Sequence, residues 1–141
     1  MKLYLDIDGV LLGTVDGAPR LANGAGDFID FVLGKFDCYW LTTHCKGSVE
    51  PVLSYLKPYS TDEFYSSIQK IKPTNFDVFK TEAINLTEPF IWIDDSPLSS
   101  EIEILDQHGK LNAWYEVNTY ECPDDLLTCL DYLRGLATCL P

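Results

Sequence analysis

The sequence predicts an α/β fold: a parallel sheet with helices packed on both of its faces. Three observations predict it. Residues 3–7, interrupted only by Asp6, and residues 38–41 and 90–93 are short apolar runs of strand length, as expected of strands buried on both faces. The stretches between them space their apolar residues three and four apart, as helices do. Each apolar run also stops abruptly in carboxylates or hydroxyls: Asp6 and Asp8, then Thr42 and Thr43, then Asp94 and Asp95.

Residues 3–7 form the first strand, and Gly9 frees the backbone to turn after it. Residues 10–22 carry Gly13, Gly17 and Pro19 and read as a loop over the strand ends. Asn23 is suited to cap a helix whose buried face carries Phe28, Phe31 and Val32. The second strand covers 38–41. Pro51 then suits the first turn of a helix with Val49, Val52, Leu53 and Leu56 on one face, which Lys57-Pro58 ends. Residues 59–75 are the least patterned, with 63–65 expected as a short edge strand. Residues 76–85 read as a helix leading into the third strand, 90–93. Ser96 is expected to cap the next helix, with Pro97 in its first turn, Leu98, Ile102 and Leu105 buried, and Gly109 at its end. A fourth strand is expected over 111–117. Pro123 then opens a last helix that turns Leu126, Leu127, Leu130 and Leu133 inward. Strands alternating with helices through right-handed crossovers give a three-layer, Rossmann-like sheet. Tyr39, Trp40, Trp92 and Trp114 are expected as core packing.

With 141 residues, the chain is expected to form one domain over 1–141 with a sizeable core. Its 46% hydrophobic and 13% aromatic content excludes disorder. No apolar run is long enough to span a membrane, and Asp6 and Asp8 interrupt any signal-peptide pattern, so a cytoplasmic protein is expected. The net charge of −12 argues against direct binding to a nucleic-acid backbone. It leaves an anionic substrate open, an RNA end among them, if a metal supplies positive charge locally. The five cysteines, Cys38, Cys45, Cys122, Cys129 and Cys139, are odd in number and lack a Cys-x-x-Cys pair, which suits reduced, structural thiols.

Asp6 and Asp8 are two apart at a strand end, so their side chains leave on the same side. A calcium loop is excluded, because Val10, Leu11 and Gly17 stand where it needs a ligand, a glycine and a glutamate. Ligands of open α/β sheets bind beyond the carboxyl ends of the strands. In a parallel sheet Asp6, Asp8, Thr42, Thr43, Asp94 and Asp95 meet on that one edge. Four converging carboxylates repel unless a cation lies between them, and all-oxygen ligation suits Mg2+.

The strings Leu-Asp-Ile-Asp-Gly-Val, Trp-Leu-Thr-Thr, a downstream lysine and Trp-Ile-Asp-Asp-Ser occur in the order and spacing of four motifs. In this the chain resembles the haloacid dehalogenase superfamily of phosphohydrolases over residues 3–95. Trp-Leu-Thr-Thr-His, Lys-Thr-Glu-Ala-Ile and Trp-Ile-Asp-Asp look most like a small capless branch, found alone and fused to RNA-repair modules. The resemblance implies a magnesium-dependent phosphatase working through an aspartyl-phosphate. Asp6 would be the nucleophile and Asp8 the general acid and base, its carbonyl touching the metal. Thr42 would bind phosphoryl oxygens, a lysine would neutralise charge, and Asp95 with Asp94 would complete the metal site around Asp6. Gly9, Thr43 and His44 would lie against the substrate. Ser99 departs from the pattern, standing where many relatives carry another acid.

The lysine is expected to be Lys80, not Lys72 or Lys70. Lys72 precedes Pro73, which biases it to an extended loop, whereas Lys80 lies in the stretch that leads into the third strand. The intervals 10–23 and 43–79 have no room for a cap domain, which needs on the order of 50 residues or more. An open site suits a large substrate, or one presented by a partner. Two other readings share these residues. A phospho-accepting receiver domain needs an aspartate ending a strand before its threonine, and Asp37 begins its strand instead. A binding or regulatory module that has lost catalysis would have no need of the second acid, Asp8. His44 is as consistent with an exposed loop histidine as with a substrate contact, and Cys45 with a structural thiol.

Overall fold

The computed structural model describes residues 1–140. In chain order its elements are β1 (Lys2–Leu5), β2 (Leu12–Val15), β3 (Ala18–Leu21), α1 (Ala25–Lys35), β4 (Asp37–Trp40), α2 (Glu50–Leu56), α3 (Asp62–Ile68), β5 (Phe90–Asp94), α4 (Ser99–Gln107), β6 (Trp114–Glu116) and α5 (Asp125–Ala137). The fold is α/β. Its central sheet has the order β4-β1-β5-β6, and every pairing in it is parallel.

Strand periodicity divides the core between the two faces of this sheet. Leu3 and Leu5 of β1, Trp40 of β4 and Ile93 of β5 join one cluster with Phe28, Ile29 and Val32 of α1 and Leu126, Leu130 and Leu133 of α5. Tyr4, Phe90 and Trp92 point the other way, into a second cluster with Phe76, Ile84 and Leu105 of α4. Burying each large apolar side chain is worth about 1.5–3 kcal/mol, so the two clusters hold the strands in one register. That register sets Leu5 beside both Trp40 and Ile93. The next residues, Asp6, Leu41 and Asp94, therefore emerge together on one edge.

Several local expectations are corrected. Residues 10–22 are not a loop: β2 and β3 pair as an antiparallel hairpin. Its turn is Asp16-Gly17, both at positive φ (51° and 79°), and an Asp-Gly pair is a strong hairpin signal. Asn23 does not cap α1; Gly24 does, at φ 77°, while Asn23 bonds Asp124. A Cβ at Gly24 would overlap the Leu127 side chain, which lies across it and is partly exposed rather than turned inward.

Residues 63–65 lie in α3, not an edge strand. The Thr61 hydroxyl accepts the Phe64 N–H at 3.1 Å, and Asp62 and Glu63 occupy the first turn, where acids favour a helix. The outer edge of β4 is met instead by Lys72, whose backbone bonds Cys38 and Trp40. Residues 76–85 form no α-helix, only a 3₁₀ turn over Lys80–Ala83. The Glu82 carboxylate collects the N–H groups of Asp77, Val78 and Phe79, which gives the backbone an alternative to helical bonds. These bonds also hold its pKa below the usual carboxylate value.

Ser96 and Pro97 precede α4 without capping it, because the Ser96 N–H is drawn to the Asp94 carboxylate at 2.9 Å. Of the three residues expected on its buried face, Leu98 is exposed, Ile102 half-buried and Leu105 buried. The fourth strand is only three residues, Trp114–Glu116, after a 3₁₀ turn over Leu111–Ala113. The interval between β1 and α1 holds only the hairpin, and that between β4 and β5 only short helices and turns. The five cysteines are free. No helix among the described residues is long and apolar enough to cross a membrane.

Candidate active site

The strand ends gather the acids. Asp6 directly follows β1, its N–H bonded to the Ile93 carbonyl at 3.0 Å, and it lies beside Asp94, the last residue of β5. One carboxylate oxygen from each of Asp6, Asp94 and Asp95 lies within 4.8 Å of the others. Asp6 and Asp94 are buried, and Asp95 is half-buried. Three clustered carboxylates offer only oxygen donors, a set that could hold a hard cation such as magnesium. The Asp8 carboxylate, expected as the general acid and base, lies outside this cluster and turns to His44 and Tyr55.

Lys80 reaches into the cluster from the 3₁₀ turn. Its ammonium lies 2.6 Å from Asp94 Oδ2 and 3.4 Å from Asp6 Oδ1. Burial alone would lower the Lys80 pKa, but the charges of Asp6 and Asp94 outweigh it and hold the ammonium above its ordinary value. Burial also pushes the Asp6 carboxyl up, to about 8; the Asp94 charge adds to the rise and Lys80 opposes it. Asp95 is raised for the same reasons, burial first and then Asp94. Lys72 is elsewhere, pairing with Asp37 at 2.6 Å at the start of β4, the opposite edge of the sheet.

Gly9 sits at φ 77°, and a Cβ there would overlap the Asp95 carboxylate. The glycine thus lets the β1 turn and the β5 end close on each other. Thr42 is buried, and its hydroxyl accepts the His44 N–H at 3.3 Å. Thr43 is exposed. His44, expected to face a substrate or solvent, is half-buried with Nε2 2.8 Å from Asp8 Oδ2. Cys45 is buried and donates to the Ser48 and Thr74 carbonyls at 3.3 and 3.4 Å.

Three supporting residues escaped the sequence reading. Tyr55 of α2 donates its hydroxyl to Asp8 Oδ1 at 2.5 Å. Glu101 of α4 is buried and accepts the backbone N–H groups of Lys80 and Leu98 at 2.5 and 2.7 Å. Trp114, expected as plain packing, donates its indole N–H to the Asp94 carbonyl at 3.1 Å. Only Glu101 carried a readable signal, an acid in the first turn of a helix. Ser99, the departure from the expected pattern, is exposed at the start of the same helix.

Asp6, Asp94 and the half-buried Asp95 thus cluster at the strand ends with the Lys80 ammonium beside Asp6 and Asp94. Compared with protein-family models, with curated proteins and with solved structures, the chain matches none.

Proposed function

We propose that the protein is a magnesium-dependent phosphomonoester hydrolase of the haloacid dehalogenase type, in its capless branch. The observation that carries this reading is the Lys80 ammonium, held between Asp94 and Asp6 beside the acid trio. An adjacent cation activates a carboxylate as a nucleophile and offsets the charge of a phosphoryl group. Asp6 attacks phosphorus through a carboxylate oxygen, and the ester oxygen departs with a proton from Asp8. Asp8 then takes a proton from water as that water attacks the aspartyl-phosphate, releasing phosphate and restoring Asp6. Thr42 and Lys80 bond the phosphoryl oxygens. Magnesium, when bound by Asp6, Asp94 and Asp95, supplies positive charge at those oxygens.

The short segments between β1 and α1 and between β4 and β5 support an open site. Such a site suits a large phosphorylated substrate or one presented by a partner. Turnover of a phosphomonoester panel with and without magnesium, in the native protein and in Asp6→Asn, tests the reading. Magnesium-dependent release of phosphate that disappears in Asp6→Asn is expected. Undiminished release in that variant defeats the mechanism.

A further inference from the structure

Asp8 differs from the other acids of the site in having both of its carboxylate oxygens engaged by side chains. Oδ1 accepts the Tyr55 hydroxyl at 2.5 Å, and Oδ2 lies 2.8 Å from His44 Nε2. One contact would leave the carboxylate free to turn about its last bond; two contacts, one to each oxygen, fix its plane. The two partners also brace each other. The rings of His44 and Tyr55 stack with centroids 3.9 Å apart and planes 18° apart, and Tyr59 meets Tyr55 edge-on at 6.4 Å. Offset stacks of this kind favour a single ring geometry.

The proton inventory is consistent with an orienting role. Burial, and then the bond to Asp8, push the Tyr55 phenol well above its ordinary pKa, so it remains a donor. His44 Nε2, at 2.8 Å, is within hydrogen-bond distance of Asp8 Oδ2, so the ring can serve as partner to that oxygen. Each carboxylate oxygen offers about two lone-pair positions, which leaves one on each oxygen for a reacting group.

We propose that Tyr55 is a positioning residue that, together with His44, orients Asp8 for proton donation to the leaving group. This rests on the hydrolase reading. In the step concerned, the bond from Asp6 oxygen to phosphorus forms while the bond from phosphorus to the ester oxygen breaks. The electron pair of the broken bond goes to the ester oxygen, which takes the proton from the Asp8 carboxyl. The carboxylate left on Asp8 is then stabilised by the two partners already in place.

The test compares kcat/KM for two esters in the native protein and in Tyr55→Phe. The leaving group of 4-nitrophenyl phosphate departs without a proton, whereas that of benzyl phosphate needs one. General acid catalysis contributes roughly 10²–10⁴-fold, and Tyr55→Phe should forfeit part of it: about tenfold or more for benzyl phosphate and less than about threefold for 4-nitrophenyl phosphate. His44→Gln, which opens the other contact, should split the two esters in the same way, even where Tyr55→Phe folds poorly. In an Asp8→Asn background Tyr55→Phe should cause no further loss with benzyl phosphate. Equal losses on both esters in both variants, or a full additional loss in the Asp8→Asn background, overturn the proposal. A native protein inactive towards both esters overturns the hydrolase reading and this proposal with it.

Discussion

Glu101 accepts the backbone N–H of Lys80 at 2.5 Å from a buried position, across 21 residues of sequence. The same carboxylate accepts the N–H of Leu98 at 2.7 Å, so it ties the 3₁₀ turn that carries Lys80 to the start of α4. Glu101→Ala would leave two N–H groups without their acceptor and is expected to cost about 2–3 kcal/mol of stability, since hydrogen bonds to charged groups are worth ~1.5–3 kcal/mol. Urea denaturation checks the cost. A change within error would mean that Lys80 is held by other contacts.

Lys80→Ala removes the only ammonium seen between Asp6 and Asp94 among the described residues. Turnover is expected to fall by about 100-fold or more, the scale for losing a preorganised charge partner. Lys72→Ala breaks a largely solvated pair with Asp37 on the far sheet edge and should leave turnover within about twofold. Steady-state rates of the two variants decide between them; the reverse ranking would place the working lysine on Lys72.

Asp8→Asn should keep the first half of the reaction for esters with good leaving groups and stall the second, because the attacking water loses its base. Mass spectrometry of the variant quenched after mixing with 4-nitrophenyl phosphate should show a covalently attached phosphoryl group. Asp6→Asn treated in the same way should show none. A phosphoryl group on Asp6→Asn would mean that another residue is the nucleophile.

Without magnesium, stability should fall as pH rises. The Asp6 carboxyl is raised to about 8 in the folded protein, against roughly 3.9 for an aspartate in an unfolded chain. Between those values the folded state binds more protons than the unfolded one. The stabilisation is therefore complete below about pH 4 and is lost as pH climbs towards about 8. Melting temperatures in the presence of a chelator should decline over this range more steeply for the native protein than for Asp6→Asn. Added magnesium should reduce the decline, by stabilising the ionised carboxylates. Parallel melting curves for the two proteins would refute the shift.

Gly9→Ala places a Cβ against the Asp95 carboxylate and forces an unfavourable positive φ on alanine. Magnesium affinity, measured by titration calorimetry, is expected to drop about tenfold, as for other displaced metal-site contacts. Unchanged affinity would remove Asp95 from the cation site.

The α/β class and the residues at the strand ends are legible in the order of amino acids alone. Apolar runs such as 3–5 and 90–93 are legible because a strand buried on both faces has few polar positions, and the change to Asp6 or Asp94 marks the strand end. Parallel pairing does the rest, since it brings successive strand ends to one edge. The local errors were of another kind. Asp16-Gly17 and Thr61 are local turn and cap signals, visible in the chain itself. The missing helix at 76–85 was decided by Glu82, whose side chain took the N–H groups that a helix would need.

The contacts of the site residues depend on packing across the fold. That Asp8 turns to Tyr55 and His44 while Asp6 stays with Lys80, Asp94 and Asp95 follows from no spacing along the chain. Tyr55 stands 47 residues from Asp8, and Glu101 stands 21 from Lys80. Such partners leave no local mark, because their hydrogen bonds depend on how α2 and α4 pack against the sheet edge. Periodicity records which face of an element is buried, but not which polar side chain meets another across the fold.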